Sequence, residues 1–315
     1  MSYRITPGLP LDAEIRRVAD EQIDKASAEL SAAQTGDDLH EAVHDVRKRF
    51  KKLRALVLLA KSGDEGFART ENARFRDAAR ALSGVRDRTA LIEALDALSE
   101  HAKGDLSDSA GAFAALRKEL EVRRQAAVEL EGDLGATITA TLATLADSRD
   151  AAGMLSFQRP VKNAASVLAT GFATTHGRAR AALRQATRSG SPEDLHALRK
   201  HVKYLGFHLA LLSPLWPEAF DPLRRAAGDV ADGLGRDHDY AVLREELTPE
   251  AETHALVLAL MDQRQAELQA AALLSARRLL AEKPEAIAAR IKRLFRNAAD
   301  SAPPAHANAK HSAGR

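Results

Sequence analysis

Apolar residues recur along this chain at three- and four-residue steps. Alternation at period two never persists, so the pattern predicts helices and no strands. Stops at Gly36, Ser62-Gly63, Gly104, Gly153, Gly190, Pro214 and Pro217 punctuate it. Between them the predicted helices run near 11–34, 38–61, 66–83, 87–102, 109–150, 159–188, 192–213, 217–234, 237–247, 250–282 and 284–299. Ser191-Pro192-Glu193-Asp194 reads as a helix start. Ser191 is a capping residue, Pro192 suits the first turn, and Asp194 favours the positive end of the helix dipole. The expected fold class is all-α.

Two of these segments carry more than a core pattern. In 38–61, Leu39, Val43, Val46, Phe50, Leu53 and Val57 form one apolar stripe. His40, His44, Arg47, Lys51 and Arg54 form a second stripe one residue further round, with Lys48 beside it. In 192–213, Leu195, Leu198, Val202, Leu205, Leu209 and Leu212 make the apolar stripe, and His196, Arg199, Lys200 and Lys203 make the basic one. A cationic stripe next to a core stripe lies on the shoulder of a bundle, where it can line a groove. Like charges at i,i+4 destabilise a helix by some tenths of a kcal/mol each. A negative partner, internal or external, is the simplest compensation.

The two segments also match each other. The pattern H-x-x-R-K-x-x-K-x-L aligns His44 with His196, 152 positions apart. Val85-Arg86-Asp87 returns as Gly235-Arg236-Asp237 at a shift of 150, and Lys25 with Leu30 returns as Arg178 with Leu183. Three ordered matches at nearly one shift predict a duplicated half of ordinary domain size. The expected organisation is an N-terminal helical half over 1–152, a C-terminal half over 153–300 and a disordered tail over 301–315.

Composition narrows the function classes. The chain is 45% hydrophobic but only 4% aromatic, and 29% charged, as long amphipathic helices require. The formal net charge is +2, so a polyanion site must come from local clustering. There is no cysteine, which excludes disulfides and thiolate chemistry. The opening residues hold no apolar run suited to a signal peptide, and the run from Ala55 to Ala60 is too short for a bilayer. A cytoplasmic protein with no membrane partner is expected.

On the two His-x-x-Arg-Lys-x-x-Lys helices and the Arg86-Asp87 and Arg236-Asp237 turns, the chain resembles the CHAD family, the conserved histidine α-helical domain. The resemblance covers all but the tail. It implies two antiparallel helical bundles of about four long helices each, related by a pseudo-two-fold axis, with a basic surface along the centre. It also implies binding of inorganic polyphosphate and association with polyphosphate granules. Some members are fused to a triphosphate-processing CYTH domain, whose strands and E-x-E-x-K signature are not found here, so a stand-alone member is expected. Carried over residue by residue, His44, Arg47, Lys48 and Lys51 would contact phosphate in the first half, and His196, Arg199, Lys200 and Lys203 in the second. Arg54, Lys25, Arg178, Arg86 and Arg236 form a second tier, Arg86 and Arg236 being equally readable as locally paired structural residues. The second half departs from the first in having Tyr204 and Gly206 where the first has Lys52 and Arg54.

The residue types suit that ligand. Arg gives forked hydrogen bonds to phosphate oxygens and Lys gives point charge. A histidine beside phosphate has its pKa raised, so affinity is expected to rise as pH falls through roughly 6.5. The expected mechanism is electrostatic binding without turnover, with no cofactor, no catalytic residue and no metal.

Other readings compete. His40-Glu41-Ala42-Val43-His44 is a literal H-E-x-x-H zinc signature. Arg47, Lys48 and Lys51 share its face and would repel a dication, and Pro192 stands where His40 aligns. The His44-Asp45 and His238-Asp239 pairs suggest a metal-dependent phosphohydrolase, but no carboxylate cluster accompanies them. Nucleic-acid binding is disfavoured because no aromatic interleaves with the basic stripe except the core-side Phe50. A ligand-free scaffold remains a fourth reading.

Overall fold

A computed structural model describes residues 3–33, 39–82, 87–102, 110–130, 134–157 and 161–301. Among them there are eleven α-helices and no strand: α1 (Leu11–Ala33), α2 (Leu39–Leu59), α3 (Glu65–Ala81), α4 (Asp87–Ala102), α5 (Ala110–Leu130), α6 (Leu134–Gly153), α7 (Val161–Ser189), α8 (Pro192–Leu212), α9 (Pro217–Leu247), α10 (Ala255–Leu279) and α11 (Pro284–Asp300). Two short 3-10 turns, Ser213–Leu215 and Thr248–Glu250, flank α9. Arg86 and the tail beyond Ser301 lie outside the described residues, as does the side chain of His40.

The predicted stripes form the core. Val43, Val46, Phe50 and Leu53 are fully buried on α2, and Leu195, Leu198, Val202, Leu205, Leu209 and Leu212 are at most 1% exposed on α8. Burying each such side chain contributes about 1.5–3 kcal/mol, which fixes the rotation of both helices and so the direction of their basic edges. The start of α8 is as expected. Gly190, at φ +63°, ends α7 in the left-handed region, and its N–H donates to the Ala186 carbonyl. The Ser191 hydroxyl then accepts from the Asp194 N–H.

Helices α1, α2, α3 and α6 pack in a ring, and α7, α8, α9 and α10 pack in another, with α11 against α7. The order of contacts runs in parallel. In the first set the pairs are α1–α2, α2–α3, α4–α5 and α1–α6, and in the second α7–α8, α8–α9, α9–α10 and α7–α11. One apolar core runs through both rings, which meet where α2 touches α7 and α8. At that seam a Cβ on Gly171 would lie 2.0 Å from the Leu59 carbonyl oxygen, so α7 crosses the end of α2 at backbone contact. The fully buried His208 bonds through Nε2 to the Ala55 carbonyl across the same seam, at 2.9 Å. Only an N–H can satisfy a carbonyl, so Nε2 carries the proton. A second, smaller core joins α4 and α5 to the far half of α9 and the start of α10 through Leu95, Phe113, Leu116, Tyr240, Leu243 and Met261. The α4–α5 hairpin therefore leans on the second ring.

Two helix boundaries differ from expectation. The break expected between 234 and 237 is absent, and α9 runs through it. Gly235 is there because a Cβ would come 3.0 Å from the Arg199 guanidinium, so it makes room and does not end a helix. The single helix expected over 109–150 is two, α5 and α6. The Gly132-Asp133 pair between them, a helix stop followed by a capping residue, is the signal that periodicity overrode.

Candidate polyanion site

Helices α2 and α8 bring the basic stripes of both halves to one cavity of about 390 Å³. Arg47, Lys51 and Arg54 enter from α2, and His196, Arg199, Lys200 and Lys203 from α8. His238 and Asp239 of α9 and Ala90 and Glu93 of α4 close it, with Tyr204 and Phe207 on its wall. Six guanidinium and ammonium groups thus face two carboxylates in a space the size of a small-molecule site.

Packing fixes several of these cations. The Arg54 Nε–H donates to the Asn72 side chain at 3.1 Å, and its guanidinium lies over the Tyr204 ring, 5.7 Å from the centroid. Tyr204, which the sequence reading took as lost charge in the second half, is a platform for a cation of the first. The Arg199 Nε–H donates to the Ala231 carbonyl at 3.3 Å and its head rests on Gly235, so α9 aims it into the cavity. The His196 ring lies 4.3 Å from that of His238. Its pKa is pulled down to about 4, first by loss of hydration and then by His238, Arg199, Lys200 and Lys51. One side of the residue still meets solvent. The imidazole is therefore neutral at pH 7 while no anion is present.

The groove continues past Lys203 into a second cavity of about 290 Å³, where Lys52 and Arg224 add charge beside Asp232. Burial lowers the Lys52 pKa, and Arg49, Lys48 and Lys25 lower it further, the mark of crowded positive charge. A further cavity of about 920 Å³, between the starts of α1 and α7 and the α2–α3 turn, has Asp12 and Asp64 as the charged groups among its described lining residues.

Of the remaining sequence-derived residues, His44, Lys48, Lys25, Arg178 and Arg236 are not among those that line the cavity, and Arg86 lies outside the described residues. His44 is partly buried one turn before Arg47. Lys48 is largely exposed, with Nζ 3.8 Å from the Asp45 carboxylate. Lys25 pairs with Glu21 on its own helix at 2.7 Å. Arg178 is exposed on α7, where with Lys200 it adds to the burial that depresses the His201 pKa. Arg236 is exposed and Asp237 does not pair with it. The buried Asp237 carboxylate accepts from Gln269 at 2.8 Å and Gln265 at 3.1 Å, tying α9 to α10. The sequence reading missed His238 and Asp239 as lining residues, having weighed them only as a metal pair. It also missed Glu93 and Phe207, for which local sequence holds no signal.

No helix among the described residues is long and apolar enough to cross a membrane. No curated protein sequence matches the chain significantly. Among solved structures the chain is similar to PptA from Streptomyces chartreusis, at 16% identity and a TM-score of 0.51, over 84% of this chain and 99% of that one. At that identity the likeness concerns the fold. The family profile of the CHAD domain matches residues 17–248, which include both basic helices, and the chain therefore belongs to the CHAD-domain family.

Proposed function

We propose that this protein binds inorganic polyphosphate along the α2–α8 seam and does not turn it over. The observation that carries the reading is the convergence of Arg47, Lys51 and Arg54 with Arg199, Lys200 and Lys203 in one cavity. A linear polyanion neutralises such a row by placing successive phosphates against successive cations, Arg by forked hydrogen bonds and Lys by point charge. The continuation past Lys203 to Lys52 and Arg224 gives a longer chain a path. Loss of hydration and then the neighbouring cations keep the His196 ring neutral; a phosphate beside it opposes both, so binding draws in a proton. We read the two halves as copies, on the recurring motif and the parallel order of helix contacts. Association with polyphosphate granules follows from binding of this kind.

Nucleic acid is the main rival, and the aromatics of the cavity disfavour it. The face of Tyr204 is covered by Arg54, and Phe207 meets Tyr3 edge-on at 6.2 Å. Neither is arranged as an open platform for a base. Competition between polyphosphate and single-stranded DNA at equal phosphate concentration tests the assignment. Displacement of DNA by polyphosphate is expected, and the reverse preference would refute it.

A further inference from the structure

Away from the basic groove, Glu119 of α5, Glu250 of the 3-10 turn after α9 and His254 at the start of α10 turn one ligand atom each toward a common point, all within 4.8 Å of one another. The cluster does not consist of exposed acids alone. His254 is 92% buried, and its Nε2 has no hydrogen-bond partner. That nitrogen stands 3.7 Å from Oε2 of Glu119 and 3.7 Å from Oε2 of Glu250. Such a separation is too long for a hydrogen bond. It is close to the spacing of neighbouring ligands on a tetrahedral ion, about 3.4 Å for bonds near 2.1 Å.

Arg123 does not fill the place. Its guanidinium holds the other oxygens, Oε1 of Glu119 and Oε1 of Glu250, and also reaches Glu246. It thereby orients both carboxylates with Oε2 toward His254, as outer partners orient metal ligands. Three carboxylates against one guanidinium leave two negative charges, which a divalent ion would neutralise. A cavity of about 150 Å³ bordered by Glu119, Thr253 and His254 leaves room for a water as fourth ligand.

We propose that Glu119, Glu250 and His254 form a divalent transition-metal site that clips α5 to the α9–α10 junction. One imidazole and two carboxylates suit zinc or its neighbours better than magnesium or calcium. Glu250 and His254 lie beyond the residues matched by the CHAD profile, and none of the three residues lines the basic cavity, so the site stands independently of the polyphosphate reading. The ion would fasten the α4–α5 hairpin, which brings Glu93 to the wall of the basic cavity, onto the second ring of helices.

The test is calorimetric titration of the chelator-stripped full-length protein with Zn2+, in buffer free of phosphate and polyphosphate, with thermal unfolding followed in parallel. One equivalent bound at micromolar affinity or tighter, with a raised Tm, is expected for the wild type. Affinity should fall at least tenfold in His254→Gln and in Glu250→Gln, and stay unchanged in His40→Ala, which removes the rival histidine pair. Glu250 is exposed, so Glu250→Gln decides the matter should His254→Gln not fold. Absence of stoichiometric binding, equal binding by wild type and Glu250→Gln, or loss of binding in His40→Ala would overturn the site.

Discussion

Lowering the pH from 7 to 4 charges imidazoles, and the buried His208 is one that this fold tolerates poorly when charged. It is fully buried at the crossing of α2 and α8 and donates to the Ala55 carbonyl. Burial pulls its pKa to about 4, against which that hydrogen bond works only in part. In the unfolded chain the value returns to about 6.5. Above that pH both states are neutral and stability does not respond to this group. Below it the unfolded chain takes up a proton that the native protein refuses until about 4, so stability falls as pH falls. At 1.36 kcal/mol per pKa unit, the loss is about 2 kcal/mol at pH 5 and about 3 kcal/mol near pH 4. Carboxylates titrate in the same range, so the wild type alone cannot isolate the effect. His208→Gln can, because a glutamine amide still donates to the carbonyl and does not titrate. Urea unfolding of both proteins at pH 7, 6, 5 and 4.5 should give a difference in unfolding free energy that shifts toward the variant by about 2 kcal/mol between pH 7 and 5. Parallel pH profiles for the two proteins would refute the assignment of a buried, neutral His208 at the seam.

Three further outcomes follow from the geometry. Gly171→Ala places a Cβ 2.0 Å from the Leu59 carbonyl oxygen, so thermal unfolding should show a loss at or above about 3 kcal/mol, the upper end for overpacking; a wild-type Tm would contradict the close crossing of α2 and α7. Gly235→Ala meets only the movable end of Arg199 at 3.0 Å, so the protein should stay folded while polyphosphate binds more weakly by about 1 kcal/mol, a factor of about five; unchanged affinity would remove Arg199 from the contact set. His196 is neutral in the free protein because its pKa is near 4, and a bound phosphate favours its charged form. Affinity should therefore rise as pH falls from about 7 toward 4, with proton uptake read from calorimetry in two buffers of different ionisation enthalpy. Equal uptake by His196→Gln would exclude this ring as the group responsible.

The core-forming stripes and the basic edges beside them were legible because both follow from helical periodicity within one segment. So was the start of α8, where Gly190, Ser191 and Pro192 act within a few residues of one another. What escaped the sequence depends on partners distant along the chain. Gly235 carries the signature of a helix stop, and only the Arg199 guanidinium lying against it shows that it makes space. Tyr204 looks like a lost cation until Arg54, from the other half, is seen above its ring. The Arg236-Asp237 pair looks like a local ion pair, whereas Asp237 is held by two glutamines of α10 and Arg236 faces solvent. The α4–α5 hairpin belongs to the first half by order and packs on the second, which is how Ala90 and Glu93 reach a cavity lined by α8. Nothing in periodicity reports that docking.

We place polyphosphate in one cavity, built by α2 and α8 together. Calorimetric titration with long-chain polyphosphate tests this placement most directly, using wild type, Arg47→Ala/Lys51→Ala/Arg199→Ala/Lys203→Ala, and a charge-matched control with Arg69, Arg225, Arg277 and Arg278 replaced by alanine. Tight, salt-sensitive binding is expected for the wild type and the control, with loss of at least a hundredfold in the cavity variant while its circular dichroism stays helical. Equal weakening of the two variants would mean that general positive charge, and not this cavity, attracts the polymer, and absence of binding by the wild type would contradict the function itself.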